Sequence, residues 1–241
     1  MKKFELTAEF VTNVFGKKLF RIKALVAFGN VEKGELGGFI EKEDNLSHDG
    51  DAWVYGNAQV SGDARVSGDA LVSGNAQVSG DARVYGNAWV FGNAQVFGNA
   101  WVYGNALVSG NARVYGNAQV SGDALVYGNA QVSGDALVSG NAQVSGDARV
   151  YGNARVYGNA QVSDDADYAV VKGFGRCFRT TTFFRCKDKI LRVQCGCFYG
   201  DLAQFREIVK KTHGDSKYAK EYLAIADLME LHFSDECGGE Q

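Results

Sequence analysis

The chain has 241 residues, 46% of them hydrophobic, with no proline, five cysteines and a net charge of −3. This is ample material for a core, and the mildly acidic balance argues against a general nucleic-acid binder. No run approaches the 18 apolar residues of a membrane span, and no apolar signal region follows Met1 to Glu5, so a cytoplasmic protein with free thiols is expected.

Residues 1–49 read as an N-terminal β cap. Lys18 to Phe28 is expected as one strand with partial alternation, followed by turns at Gly29-Asn30 and Lys33-Gly34. Leu36-Gly37-Gly38-Phe39-Ile40 then forms an irregular first turn, leading through Asn45-Leu46-Ser47 into regular sequence.

Residues 50–163 are nineteen unbroken copies of Gly-(Asn/Asp)-Ala-x-Val-(Ser/Tyr/Phe). Such short units bury their valines by coiling on one another as a solenoid. Alternation sends Ala and Val inward and puts x and the Ser/Tyr/Phe position on the outer face. Gly and Asn/Asp make the corner, because they tolerate left-handed backbone better than other residues.

The order Val-(Ser/Tyr)-Gly-Asn-Ala-x resembles the hexapeptide-repeat proteins that fold as left-handed parallel β-helices, three units to a triangular coil. The resemblance implies a mainly β fold with about six coils and supplies the handedness, which the spacing alone does not. Members of that family commonly place Gly directly after the aliphatic residue, where this chain has Ser, Tyr or Phe. The stretch from Phe20 to Tyr55 also resembles the start of uncharacterised hexapeptide-repeat proteins of bacteria and their prophages, which often carry the label of acyltransferases.

Three units per coil sort the outward x residues into three faces. The first reads Trp53, Leu71, Trp89, Leu107, Leu125, then Gln143 and Gln161. The second is Gln59, Gln77, Gln95, Arg113, Gln131 and Arg149; the third is Arg65, Arg83, Trp101, Gln119, Leu137 and Arg155. An apolar stripe of five coils is more than a monomer ordinarily leaves in water. Trp53, Leu71, Trp89, Leu107 and Leu125 are therefore candidates for an oligomer interface or a dock for the C-terminal helices; ladders that merely stiffen the sheet are the alternative.

Residues 164–241 read as a C-terminal α+β module. Tyr168 to Gly175 is one expected strand, and residues 178–187 and 189–198 form a hairpin. A tight turn at Asp188-Lys189 pairs Arg185 with Arg192, Phe184 with Val193 and Thr182 with Cys195. Thr181, Phe183, Arg185, Arg192 and Gln194 then share one face, with Arg179 close by. Residues 172–211 hold ten basic side chains against three acidic ones. The facing arginines suggest an anionic ligand, nucleotide-like or carboxylate-bearing, or an acidic host protein; a solvated basic face is the alternative. Cys177, Cys186, Cys195 and Cys197 can be read as zinc thiolates, but the Cys-Gly-Cys spacing and the apolar register favour buried thiols. Asp201 caps a first helix carrying Leu202, Phe205, Ile208 and Val209 as far as His213-Gly214. Asp215 or Ser216 opens a second with Tyr218, Tyr222, Leu223, Ile225 and Met229, to about Phe233. The stretch from Gly196 through His213-Gly214 resembles a module on prophage-encoded accessory proteins.

These readings converge on a non-enzymatic, homo-oligomeric scaffold and binding protein without cofactor or metal. The acyltransferase alternative needs a histidine base at a coil corner, and only His48, His213 and His232 are available, none of them inside the rod. A structural spacer is the third reading.

Overall fold

Each repeat turns on a glycine held at positive φ, as at Gly62, where φ is 71°. A Cβ there would also lie 2.9 Å from the carbonyl oxygen of Gly80 one coil on, so both backbone conformation and close approach require glycine. Between corners, each unit contributes a two-residue rung, x-Val, paired in parallel with the unit 18 residues later. Rungs stack seven deep on the first face, from Trp53-Val54 to Gln161-Val162, and six deep on each of the other two. The protein is a parallel β-solenoid with the three faces read from the sequence. Every repeat Ala and Val is buried, forming one continuous core. The computed structural model describes residues 2–234.

The corner amides form ladders that the periodicity alone does not announce. Asn75 donates to Asn93, Asn93 to Asn111, and Asn111 to Asn129, over 3.3, 3.1 and 3.1 Å. Asn129 then donates to Asp147 over 2.9 Å, and the other two corners carry similar runs ending on Asp123 and Asp135. An amide both donates and accepts, whereas a carboxylate only accepts, so an aspartate closes these three runs.

The N-terminal cap contains one more strand than expected. β1 (Phe4–Thr12) pairs antiparallel with β2 (Lys18–Ala24), which pairs antiparallel with β3 (Leu36–Ile40). β2 stops at Ala24 rather than running to Phe28; the following loop closes through a bridge between Phe28 and Val31. Phe39-Ile40 of β3 pairs in parallel with Gln59-Val60, so the irregular turn is the first coil. Gly37 and Gly38 let it pack: a Cβ on Gly37 would sit 2.6 Å from Ile22 Cγ1, and one on Gly38 2.6 Å from the Ala58 carbonyl.

The two ends of the rod present different groups. Within the rod, corner and x amides donate to carbonyls of the next coil, as in Asn75 N–H to Gly92 O and Trp89 N–H to Ala106 O. The first coil is thus left with outward carbonyls. Lys3, 3% exposed, donates its ammonium to Gly50 O and Ala52 O over 3.0 and 2.9 Å. The Asn45 amide serves Gly62 O and Ala64 O over 3.0 and 2.8 Å. The last coil is left with outward amides, and acceptors meet them: Asp165 Oδ1 takes Arg149 N–H (2.8 Å), Thr182 Oγ1 takes Arg155 N–H (3.0 Å) and Asp167 Oδ2 takes Ser163 N–H (2.8 Å).

The C-terminal module provides those acceptors and lies across the end of the rod. It is an antiparallel meander of β4 (Tyr168–Phe174), β5 (Arg179–Arg185), β6 (Leu191–Cys195) and β7 (Phe198–Asp201). α1 (Leu202–His213) and α2 (Lys217–His232) follow, capped by Asp201 and Ser216. Tyr168, Phe184 and Cys186 extend the rod's core. Phe183 and Val193, on the other side of the sheet, pack with Leu202, Phe205, Val209, Tyr222, Ile225 and Met229 of the helices. Ile208 and Tyr218, expected in these packing stripes, are exposed.

The stacking makes the length of a deletion matter. Removing residues 104–121, one whole coil, keeps every 18-residue pairing in phase and leaves a folded chain. Removing residues 104–109 rotates everything downstream by one face and lowers the melting temperature more; equal melting temperatures by circular dichroism would refute the importance of face identity. A second prediction concerns Lys3, whose pKa burial lowers from 10.5 to about 8 against the opposing pull of Asp51, Asp49 and Asp69. Below pH 8 the amine is protonated in both states and the fold carries the burial cost. Between about 8 and 10.5 the unfolded chain binds the extra proton, so stability rises with pH. The melting temperature of the native chain relative to Lys3→Met should therefore climb between pH 7 and 9.5, and a flat difference would contradict this.

Candidate functional site

Trp53, expected at an interface, is fully buried instead. The cap covers it, with Phe28 edge-on at 5.3 Å and Phe4 at 6.3 Å. Below the cap the stripe continues with Leu71 partly buried against the core, Trp89 50% exposed, and Leu107 and Leu125 half-buried. The C-terminal helices pack on their own sheet, so the dock considered for them on this face is not where they lie.

The hairpin register differs by one residue from the expected one, which transfers side chains between faces. Phe183 pairs with Val193, Phe184 with Arg192, Thr181 with Cys195 and Arg185 with Leu191. The cause is the loop. A five-residue connection, residues 186–190, replaces the two-residue turn, with Lys189 at φ 61° and its N–H on Cys186 O. Arg185 and Arg192 therefore do not face each other. Arg185 lies 3.9 Å from Asp167 and donates to Phe233 O over 3.2 Å. Arg192 is paired with Asp188 over 2.8 Å. Thr181 and Phe183 are buried beneath the helices, while Gln194 is nearly buried with its amide on Gly196 O. Of the six candidate ligand residues, only Arg179 stands on open surface.

Arg206 and Lys217 are matched by acids as well. Arg206 spans to Asp227 and Glu230 on α2 at 2.7 Å each. Lys172 and Arg179 stand in a cleft of about 730 Å³ at the junction of the rod and the C-terminal module, together with Arg155 from the last third-face rung. Thr180, Asn153, Asp135, Gly196 and Cys197 complete its walls, and Lys172 donates to Asn153 Oδ1 over 2.9 Å. Three elements bring one cation each. This grouping escaped sequence reasoning because Arg155 belongs to a repeat and looks like any other outward residue.

The cysteines are dispersed. Cys186 is buried on the rod side, where burial raises its thiol pKa, and Cys195 is half-buried on the helix side, accepting from Thr181 Oγ1 at 3.1 Å. Cys177 and Cys197 are exposed rather than buried. Cys237 lies outside the described residues. Among the described residues no cluster of three or more His, Cys, Asp or Glu is placed to hold a metal. Tyr222 is driven up to about 12, first by burial and then by Cys195.

His48 is held within the cap. Its Nδ1 accepts the Lys3 amide over 3.2 Å, its ring stacks on Phe4 at 4.4 Å, and its Nε2 is 3.8 Å from Glu43. A cleft of about 740 Å³ lies beside it, lined by Arg65, Arg83, Tyr85 and Trp101.

No described helix is long and apolar enough to cross a membrane. No curated protein matches the chain. A family model described as the YdcK beta solenoid repeat matches residues 58–74, 76–92, 94–110, 100–116, 106–119, 118–132, 130–146, 142–158 and 148–164. Each match opens on the alanine of a unit, so its phase is that of the parallel rungs. By this match and by its parallel coils the chain is a repeat β-helix protein, with a repeat similar to the YdcK β-solenoid repeat.

Proposed function

We propose that the protein is a non-enzymatic scaffold that self-associates along its rod and binds an anionic ligand in the cleft formed by Arg155, Lys172 and Arg179. The observation that carries the reading is the convergence of those three cations, from the last coil, β4 and β5, on one opening. The Thr180 hydroxyl and the Asn153 amide add neutral hydrogen-bonding groups suited to a phosphate or carboxylate. The binding site therefore moves from the hairpin face to the junction. Copies joined through a rigid frame raise the effective concentration of such sites without catalysis. An accessory role that sequesters a nucleotide-like signal or blocks an acidic host protein, in keeping with the prophage resemblance, fits this arrangement.

The acyltransferase reading draws on the cleft beside His48. Against it, a general base must offer a lone pair to its substrate. The Nδ1 lone pair of His48 is engaged by the Lys3 amide, which leaves the proton of the neutral ring on Nε2.

Isothermal titration with pyrophosphate and with ATP tests the proposal. Charge-assisted hydrogen bonds contribute about 1.5–3 kcal/mol each, so Lys172→Glu with Arg179→Glu should weaken binding by a factor on the order of a hundred or more. His48→Ala should leave it unchanged. Absence of binding to the native chain, or full binding by the double variant, would overturn the site.

A further inference from the structure

One end of the C-terminal sheet carries a second cleft. The β4–β5 loop, residues 175–178, and the two-residue β6–β7 turn, Gly196-Cys197, lie at the same end, because Phe174 pairs with Arg179, Thr181 with Cys195 and Cys195 with Phe198. Between these turns and the C-terminal half of α1 opens a cleft of about 330 Å³, within the size range of small-molecule pockets. Four rings in a row form part of its wall: Phe198 lies 5.6 Å from Phe205, Phe205 5.8 Å from Tyr222, and Tyr222 5.9 Å from His213. Ile208, the one position of the α1 stripe left unburied, stands 38% exposed at the same opening.

Charge is arranged there as well. Arg176 and Arg179 line the cleft, no carboxylate does, and among the described residues neither arginine is ion-paired. Glu221, beside Tyr222 on α2, is engaged by the Gly175 amide at 2.9 Å and by Lys217 at 3.5 Å. Two glycines fix the parts. Gly175 and Gly196 both hold positive φ, 70° and 62°, and a Cβ would strike the Tyr222 hydroxyl at the first and the Arg179 guanidinium at the second. Tyr222 and Arg179 are therefore packed against bare backbone before any ligand arrives.

We propose that this cleft binds a small aromatic carboxylate, its ring among the four aromatic side chains and Ile208, its charge on Arg176 and Arg179. Ring pairs favour centroid separations of about 4.5–7 Å, the spacing the wall already uses. A guanidinium fork meets a carboxylate in two parallel hydrogen bonds. The ring is a hydrocarbon rather than a nucleobase. The Tyr222 hydroxyl already donates to Phe174 O over 3.4 Å, and no amide or acid side chain lines the cleft, so polar ring edges would lose water for few partners. The site is separate from the junction cleft, with which it shares the Arg179 and Cys197 walls but neither Arg155 nor Lys172.

Isothermal titration of the full chain with 1-naphthoate tests this, with circular dichroism to confirm that each variant folds. The native chain is expected to bind with Kd on the order of 100 μM, and acetate or 1-naphthol at least about tenfold more weakly, because each lacks one half of the match. Arg176→Gln and Ile208→Asp should each raise Kd about tenfold, and Lys172→Gln should raise it less than Arg176→Gln. Should Ile208→Asp fail to fold, Arg176→Gln decides. Saturating 1-naphthoate should also slow maleimide alkylation of Cys177 and Cys197, the exposed thiols of the cleft, as followed by peptide mapping. No binding by the native chain, equal binding of 1-naphthol, or thiols left unprotected would overturn the site. Lys172→Gln weakening the binding as much as Arg176→Gln would assign the aromatic anion to the junction cleft and overturn it too. Pyrophosphate, which has no ring, tests the junction alone.

Discussion

A parallel ladder that cannot close on itself governs the whole molecule. The x and corner amides of each coil donate forward, and its Ala, Val and Gly carbonyls accept from the coil behind, so every interior coil is satisfied while the two end coils are not. Unpaired backbone groups at a buried edge carry a desolvation cost, and an uncovered edge invites another solenoid to add on. The two caps resolve this with opposite chemistry. At the carbonyl end the donors are an ammonium and an amide, Lys3 and Asn45; at the amide end the acceptors are Asp165, Asp167 and Thr182. Lys3 illustrates what the arrangement costs, since its ammonium must be buried to reach Ala52 O, and its pKa falls accordingly.

The same constraint accounts for the C-terminal module. Thr182, Phe184 and Cys186 face the rod because β5 must cover the last coil, while Phe183 and Val193 face the helices. Tyr168 ties the module down: its hydroxyl donates to the Arg149 carbonyl, and burial raises its pKa to about 12. The junction cleft is a consequence of laying a flat sheet over a triangular rod, which leaves a gap at a corner. Arg155 comes to that gap from the rod, Lys172 and Arg179 from the sheet. Of the other basic residues of the module, Arg185, Arg192 and Arg206 are matched by acids, so local charge excess alone overstated the ligand surface.

The rod was legible in the sequence because its period repeats one structural decision, and any error in phase would have been repeated nineteen times. The caps were not, since each is used once. β1 has weak alternation and gains its place by pairing with β2. Trp53 occupies an outward rung position like Trp89, and nothing in its own unit tells that Phe4 and Phe28 will cover it. In the hairpin the residues around Asp188 permit either a two-residue turn or a longer loop. The choice of the latter, with Lys189 in left-handed backbone, moved Arg185 and Arg192 to opposite faces. A one-residue uncertainty in a loop is small for fold and decisive for a site. The helix starts, by contrast, were readable at Asp201 because the capping signal is local.

With both ends covered, the surface that remains open to association is lateral, and there the repeat uses one residue type in two ways. Adjacent aromatics such as Tyr85 and Tyr103 satisfy their stacking within the chain and stiffen the rod. Aromatics held apart by a serine, as Phe91 and Tyr127 are by Ser109, leave their ring faces without that partner. The backbone is indifferent to the choice, since all three columns share the same rungs and corners. What separates a stiffening ladder from a column of spaced single rings is thus only the order of serine and aromatic along 18-residue steps. That order belongs to the surface alone, so it can change without disturbing the buried alanines and valines on which the fold depends.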